Sequence, residues 1–434
     1  MEPEVHRSIF RYPLIGFTLI ISEIITTLAS TWGKHIKVKG SSGAFGPDDD
    51  GNTFTGHGDG HFDEFGGGIG QKPHKFTHTF FMAPMLYLPQ MFCLLLFYIM
   101  SGTGCGRRYL NPEQEQRNGV EGAQNPRGGA RRPHNRRVEQ DMRYSKGIFV
   151  IPAIFNYAAT CLLYVGFNLT YPSSTILFKG AILFFTSLLS VAFLGRNMNP
   201  RMWIGVVIGI MGLANLGIHD YIFLAKNDYD TNGIVAGDLL IVMAQIMYSI
   251  QAVIEQKLLT RYTNLTPLET LGFEGLYGFC ISFFLLIIFS FVNAGAFSYL
   301  PDHYLEAPID ALKQMRNSWK ASIIVIGMMI FNTVHYLLAL VITKDYGATP
   351  RMVINSIAYA ATWGIILLLK WETYKWYLIP GFPLVVIGFL MYFDLVFMDI
   401  FRCIRGICCR RRAPVPEDDE VTLLGNGHAG VGIQ

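Results

Sequence analysis

The sequence predicts an all-α polytopic membrane protein, with about ten transmembrane helices in a five-plus-five inverted repeat. Three observations point there. The chain is 51% hydrophobic with only 15% charged residues and a mean hydropathy of +0.32. Soluble domains carry roughly 25% charged residues, and a soluble fold could not cover this much apolar surface. Apolar runs recur at the length a bilayer demands, roughly 20 residues for about 30 Å of hydrocarbon. Finally, sliding the chain along itself by 176 positions lays "FNYAATCLLYV" on "FNTVHYLLALV", Phe155 on Phe331 and Asn156 on Asn332.

The spans are expected near 11–32, 79–100, 147–166, 173–194, 202–220, 234–256, 269–293, 320–342, 351–369 and 376–399. Each is read as a helix, because backbone in lipid must satisfy its own hydrogen bonds. The first carries Glu23 near its middle. "ITTLASTW" at its end resembles a signal-peptide cleavage site, but the run from Tyr12 to Trp32 exceeds a typical h-region, so the reading favours a retained helix. The third holds Asn156 and the fourth Lys179. The sixth carries Asp238, Gln245, Ser249 and Gln256 on one face, with Gln251 and Glu255 off it. Glu274 opens the seventh.

These spans divide the chain. Residues 1–33 form the first helix and 34–78 a Gly-, His- and Asp-rich loop, and 79–100 is the second helix. An Arg- and Gly-rich loop follows at 101–146. Residues 147–220 hold helices three to five, 234–400 the second half and 401–434 a tail. Neither long loop has the apolar periodicity of a packed domain, so both are expected to be disordered. Positive charge stays on the cytosolic side. Arg107, Arg108, Arg131, Arg132, Arg136 and Arg137 in the second loop, Arg196 and Arg201 between spans four and five, and Arg410 to Arg412 in the tail share one side if the N-terminus is cytosolic. The 34–78 loop then faces a lumen or the exterior. No cysteine falls in the lumenal loops. Cys403, Cys408 and Cys409 stand among arginines past the last span, a setting for S-palmitoylation or for unmodified thiols.

The shift of 176 maps spans three, four and five onto eight, nine and ten. Five spans separate the copies, so the second half is inverted, an architecture that supports alternating access. Gly205 falls on Gly381 and Gly212 on Gly388. Thr175, Lys179, Thr186 and Ser190 share one face of the fourth span. Arg351, Asn355, Tyr359 and Thr362 share one face of the ninth. Under the shift Thr175 meets Arg351, Lys179 meets Asn355 and Thr186 meets Thr362, and spacings of three, four and seven make each set a column.

Lys179 lies roughly 9 Å from its helix end at 1.5 Å per residue. A snorkelling stem reaches much of that distance. The polar column beside it favours a wet cavity, where an anionic ligand group is the natural partner. Glu23 carries a coupling proton, balances charge, or forms a structural ion pair with Lys179 or Arg351. Gln245, Asn156 and Asn355 line the cavity or join helices by hydrogen bonds. Arg351 and Glu274 stand near helix ends, where an interfacial position explains them equally well. The expected substrate site is therefore Lys179, Glu23, Asn156, Gln245, Asn355 and Arg351. His57, His61, His74 and His78 fit no zinc spacing, so a solvated loop without metal is expected. The absence of P-loop, dinucleotide and metalloprotease motifs argues against an enzyme and against a cofactor. A net charge of +3 does not argue for nucleic acid.

"FNYAATCLLYVGFNLTYPSSTILFKGAILFFTSLLSVAFLGR" resembles the third and fourth helices of the drug/metabolite transporter superfamily. "GDLLIVMAQIMYSIQAVIEQKLL" followed by "TPLETLGFEGLYGF" resembles the F branch of the solute carrier 35 family, near its lysosomal member. The resemblance runs from about 11 to 400. It implies ten helices, cytosolic termini and a central cavity. Many such relatives exchange nucleotide sugars, but the "GALNK"-type guanine-reading motif is missing. The tail's "DEVTLL", with Asp419, Leu423 and Leu424, resembles an acidic dileucine signal read by sorting adaptors. The expectation is a lysosomal or late-endosomal membrane, with Golgi and mitochondrial membranes as alternatives. The expected function is secondary transport of a small anionic metabolite by alternating access, with a homodimer left open. The rival is a membrane-embedded interaction protein without transport, which would need no symmetry-matched polar columns.

Overall fold

The computed structural model describes residues 3–33, 37–38, 74–75, 78–103, 144–224, 231–293, 304–371 and 381–393. Most of both long loops and the whole tail lie outside these residues. So do the expected disorder, the basic clusters of the second loop and the tail, Cys403, Cys408 and Cys409, and the sorting residues Asp419, Leu423 and Leu424. We number the helices α1 (Pro3–Gly33), α2 (Thr79–Gly102), α3 (Val150–Leu169), α4 (Pro172–Lys179), α5 (Ala181–Leu194) and α6 (Pro200–Leu224). They continue as α7 (Thr231–Arg261), α8 (Pro267–Phe289), α9 (Pro308–Asn317), α10 (Trp319–Tyr346), α11 (Ala348–Leu368) and α12 (Gly381–Phe393). A 3₁₀ turn, Lys146–Phe149, leads into α3. A two-residue antiparallel ladder pairs Lys37 with Lys75 and Val38 with His74.

Among the described residues, eight segments are long and apolar enough to cross a bilayer. At the places of the fifth and tenth expected spans stand two shorter apolar helices, Pro200–Leu216 and Pro383–Tyr392. Local sequence sets the helix starts. Pro267 opens α8, and the Thr266 hydroxyl accepts from the Glu269 amide at 3.2 Å. Ser318 caps α10 by accepting from the Ala321 amide at 3.4 Å. Such caps satisfy amides left without a partner at a helix start.

The fourth span is not continuous. It divides into α4 and α5 at Gly180, whose amide bonds Leu177 O three residues back, at 3.1 Å. Lys179 is thus the last residue of α4.

The helices pack most extensively as α2 with α8, α3 with α7, α6 with α12 and α1 with α10. Exchanging α1 with α7, α2 with α8, α3 with α10, α4–α5 with α11 and α6 with α12 leaves this set unchanged. Glycines show the same exchange atom by atom. A Cβ on Gly205 would lie 2.7 Å from Gly388 O, and one on Gly381 3.0 Å from Gly212 O. Gly381 and Gly388 are the repeat mates of Gly205 and Gly212. Residue i therefore meets the mate of j while j meets the mate of i, as two-fold related surfaces do. The sparse identities of the self-match thus belong to a genuine internal repeat. Elsewhere Gly272, Gly275 and Gly278 let α8 lie directly on Leu94, Gln90 and Tyr87 of α2. Close approach of this kind drives association in lipid, where there is no hydrophobic effect between helices.

Candidate functional site

At the junction of the two halves the helices part around a cavity of about 1000 Å³, counted out to its open mouth. Four repeat-related pairs stand on its wall: Asn156 with Asn332, Thr160 with Tyr336, Thr175 with Arg351, and Lys179 with Asn355. A smaller space of about 440 Å³ adjoins it, and Ser30, Tyr164, Phe167 and Met328 border both. That second space reaches Gly33, His78 and Asn168, on the side expected to be lumenal.

Lys179 does not snorkel to lipid. Its Nζ donates to Glu23 Oε1 at 3.0 Å and to Thr27 Oγ1 at 3.3 Å, and it sits 4.8 Å from the centre of the Tyr359 ring. Thr27 also donates to Glu23 Oε1, at 3.1 Å. Behind this group His335 Nδ1 lies 3.6 Å from Glu23 Oε2 and has no hydrogen-bond partner. The pair joins α1 to α4, and both side chains face the cavity.

A second buried ion pair joins α7 to α11, the repeat mates of α1 and α4. Arg351 Nη1 meets Glu255 Oε2 at 2.5 Å, with Tyr336 beneath the guanidinium at 5.7 Å. Arg351 and Glu274, near their helix ends, are buried within the protein, at 5% and 1% exposed. Lys344 donates to Leu265 O at 2.8 Å and Gln256 Oε1 accepts from the Ala348 amide at 2.9 Å, closing this side.

Of the six expected site residues, Lys179, Glu23, Asn156, Asn355 and Arg351 stand on the cavity wall. Gln245 does not. The polar column of the sixth span turns away from the cavity: Ser249 takes a bond from Thr186 of α5 at 3.0 Å and reaches Ile182 O at 3.2 Å, while the buried Gln245 donates back to Ile241 O of its own helix at 3.3 Å. The face that meets the cavity carries Tyr248 and Gln251, one of the residues set aside as off the column. His335 went unnoticed, although it stands inside the repeated segment "FNTVHYLLALV". The cavity tyrosines Tyr87, Tyr164, Tyr248 and Tyr336 carried no periodic signal, since aromatic residues occur throughout the spans.

His78 immediately precedes α2 and is buried. Its Nδ1 lies 2.8 Å from Glu306 Oε1 and its Nε2 3.4 Å from Asp310 Oδ2. Burial disfavours the imidazolium, but hydrogen bonds and charges from Asp310 and Glu306 outweigh it and raise the pKa to about 9. Glu306 Oε2 accepts from the Phe80 and Phe81 amides at 2.8 and 3.2 Å, so a carboxylate occupies the positive end of α2.

Comparison with known proteins agrees with this architecture. The EamA-like transporter family matches residues 131–217. Solute carrier family 35 member F6 of Homo sapiens is 31% identical over 356 residues, covering 82% of this chain and 87% of that protein. The chain belongs to solute carrier family 35. The Pongo abelii member F6 is likewise 31% identical, over 83% of this chain and 89% of its own length. A Schizosaccharomyces pombe protein, "Uncharacterized protein C12G12.12", is 22% identical over 58% of this chain. This solute carrier 35 chain is accordingly a multi-pass membrane transporter of the solute carrier type.

Proposed function

We propose that the protein is a secondary transporter that carries a small anionic metabolite through the central cavity by alternating access. The observation that carries this reading is the charge of the wall. The lining presents two cations, Lys179 and Arg351, the first held by Glu23 and the second by Glu255 behind it. An anionic group competes for these cations, while the amides of Asn156, Asn332 and Asn355 and the surrounding tyrosines suit a polar, partly flat remainder.

The two ion pairs supply the two-state element that alternating access needs. One holds α1 to α4 and the other α7 to α11, on repeat-related helices. A rocking motion that loosens one set and tightens the other exchanges the side from which the cavity is reached. We place the protein in a lysosomal or late-endosomal membrane, sorted through Asp419, Leu423 and Leu424.

The test is uptake by purified protein in liposomes offered pools of small anionic metabolites. Uptake by wild type that Lys179→Met abolishes, at a temperature where the destabilised variant is still folded, is the expected result. Full uptake by Lys179→Met would remove the cavity lysine from the reading. Changing Leu423 and Leu424 to Ala should move the protein toward the cell surface, and an unchanged location would remove the sorting signal.

A further inference from the structure

The two ion pairs differ in their charge balance. Glu23 and Lys179 form one carboxylate against one ammonium. Around Arg351 there are two carboxyls, Glu255 and Glu274, against one guanidinium, which stays charged throughout. All three are buried: Glu255 is 0%, Glu274 1% and Arg351 5% exposed.

Glu255 is fully engaged. Its Oε2 takes Arg351 Nη1 at 2.5 Å and its Oε1 takes Gln251 Nε2 at 2.5 Å. Glu274 receives only the edge of the same amide, Gln251 Nε2 to Oε2 at 3.5 Å, and its Oε1 has no partner. The two carboxyls share the one donor, Gln251 Nε2, which sets them side by side. Two ionised carboxylates offer only acceptors and cannot bond each other. One proton on the pair supplies the missing donor and removes the surplus buried charge.

The other groups facing this pair do not balance it. Tyr87 of α2 and Tyr336 of α10 are neutral hydroxyls, and α3 brings Tyr157 and Cys161 into the same packed group as Tyr87. Tyr144 and Lys146, at the start of α3, face Glu269 instead.

We propose that Glu255 and Glu274 form a proton-binding site that couples substrate movement to a proton travelling in the same direction. This rests on the transport reading above. Arg351 and Gln251 stand on the cavity wall, one side chain in front of the acids. An anion that draws Arg351 toward the cavity leaves Glu255 without its cation, and a proton from solvent adds to the bared carboxylate. Anion and proton thus favour each other's binding, reciprocally.

The experiment is infrared spectroscopy of the full-length protein in lipid nanodiscs at neutral pH, in water and in heavy water, so the probe is the proton itself. Wild type is expected to show the carbonyl band of a protonated carboxyl, shifted in heavy water. Glu274→Gln is expected to lose it and to melt like wild type, since a glutamine amide imitates the protonated acid. Glu274→Asp is expected to keep a band at a displaced frequency, which keeps the test decisive should the glutamine variant not fold. Identical carboxyl bands in wild type and both variants would overturn the proton site while leaving the transport reading intact. Substrate uptake indifferent to an imposed pH gradient, with the band present, would overturn the coupling alone.

Discussion

Neutralising either partner of the Lys179–Glu23 pair should destabilise the protein, and neutralising both should restore most of the loss. At 3.0 Å, with the two side chains 13% and 10% exposed, solvent screens the pair little. An effective dielectric of about 20 puts their attraction near 5 kcal/mol before desolvation is subtracted. Stranding one buried charge typically costs roughly 3–5 kcal/mol. Glu23→Gln should lie at the upper end, because the bare ammonium keeps only Thr27 and the Tyr359 ring. Lys179→Met should be milder, because His335 Nδ1 still stands 3.6 Å from Glu23 and Thr27 still donates to it. The double variant Glu23→Gln with Lys179→Met leaves no stranded charge. Its unfolding free energy should sit within about 1–2 kcal/mol of wild type, giving a coupling energy of about 6 kcal/mol from the single losses above. The assay is denaturant unfolding in detergent of all four proteins, with liposome uptake on the same samples. Additive single effects, with coupling below about 0.5 kcal/mol, would refute a direct buried pair.

Three further outcomes are expected. His78 has a folded pKa raised from 6.5 to about 9. Its contribution, of order 3 kcal/mol, is fully present below about pH 6.5 and is lost as pH rises through about 9. The melting temperature of wild type should therefore fall over that window, and that of His78→Gln should stay flat. Gly388→Ala would place a Cβ 2.6 Å from Gly205 O and Gly209 N, all backbone. It should cost about 1–3 kcal/mol by forcing α6 and α12 apart, read as a lowered melting temperature, with Gly327→Ala as an unhindered control. A tag within 34–78 should be shielded from protease added on the cytosolic side and a tag within 101–146 exposed. Finding both on one side would overturn the arginine-based topology.

By itself the sequence determined the membrane class, the places of the helices, the internal repeat and the presence of charge within the apolar spans at Lys179 and Glu23. Hydropathy and helical period are local quantities, set by how each segment meets lipid, and a repeat survives as matched positions along the chain. The tertiary structure alone decided partners. Lys179 and Glu23 are separated by 156 positions, and Arg351 and Glu255 by 96. Which charge meets which depends on how each helix is rotated about its axis. That rotation is set by contacts between distant helices, such as Gly205 on Gly388 and Gly275 on Gln90. For the same reason the polar column containing Gln245 turned toward α5, while Gln251 turned to the cavity. A polar column in lipid is satisfied equally well by a wet cavity or by a neighbouring helix, and only the packing of that neighbour distinguishes the two.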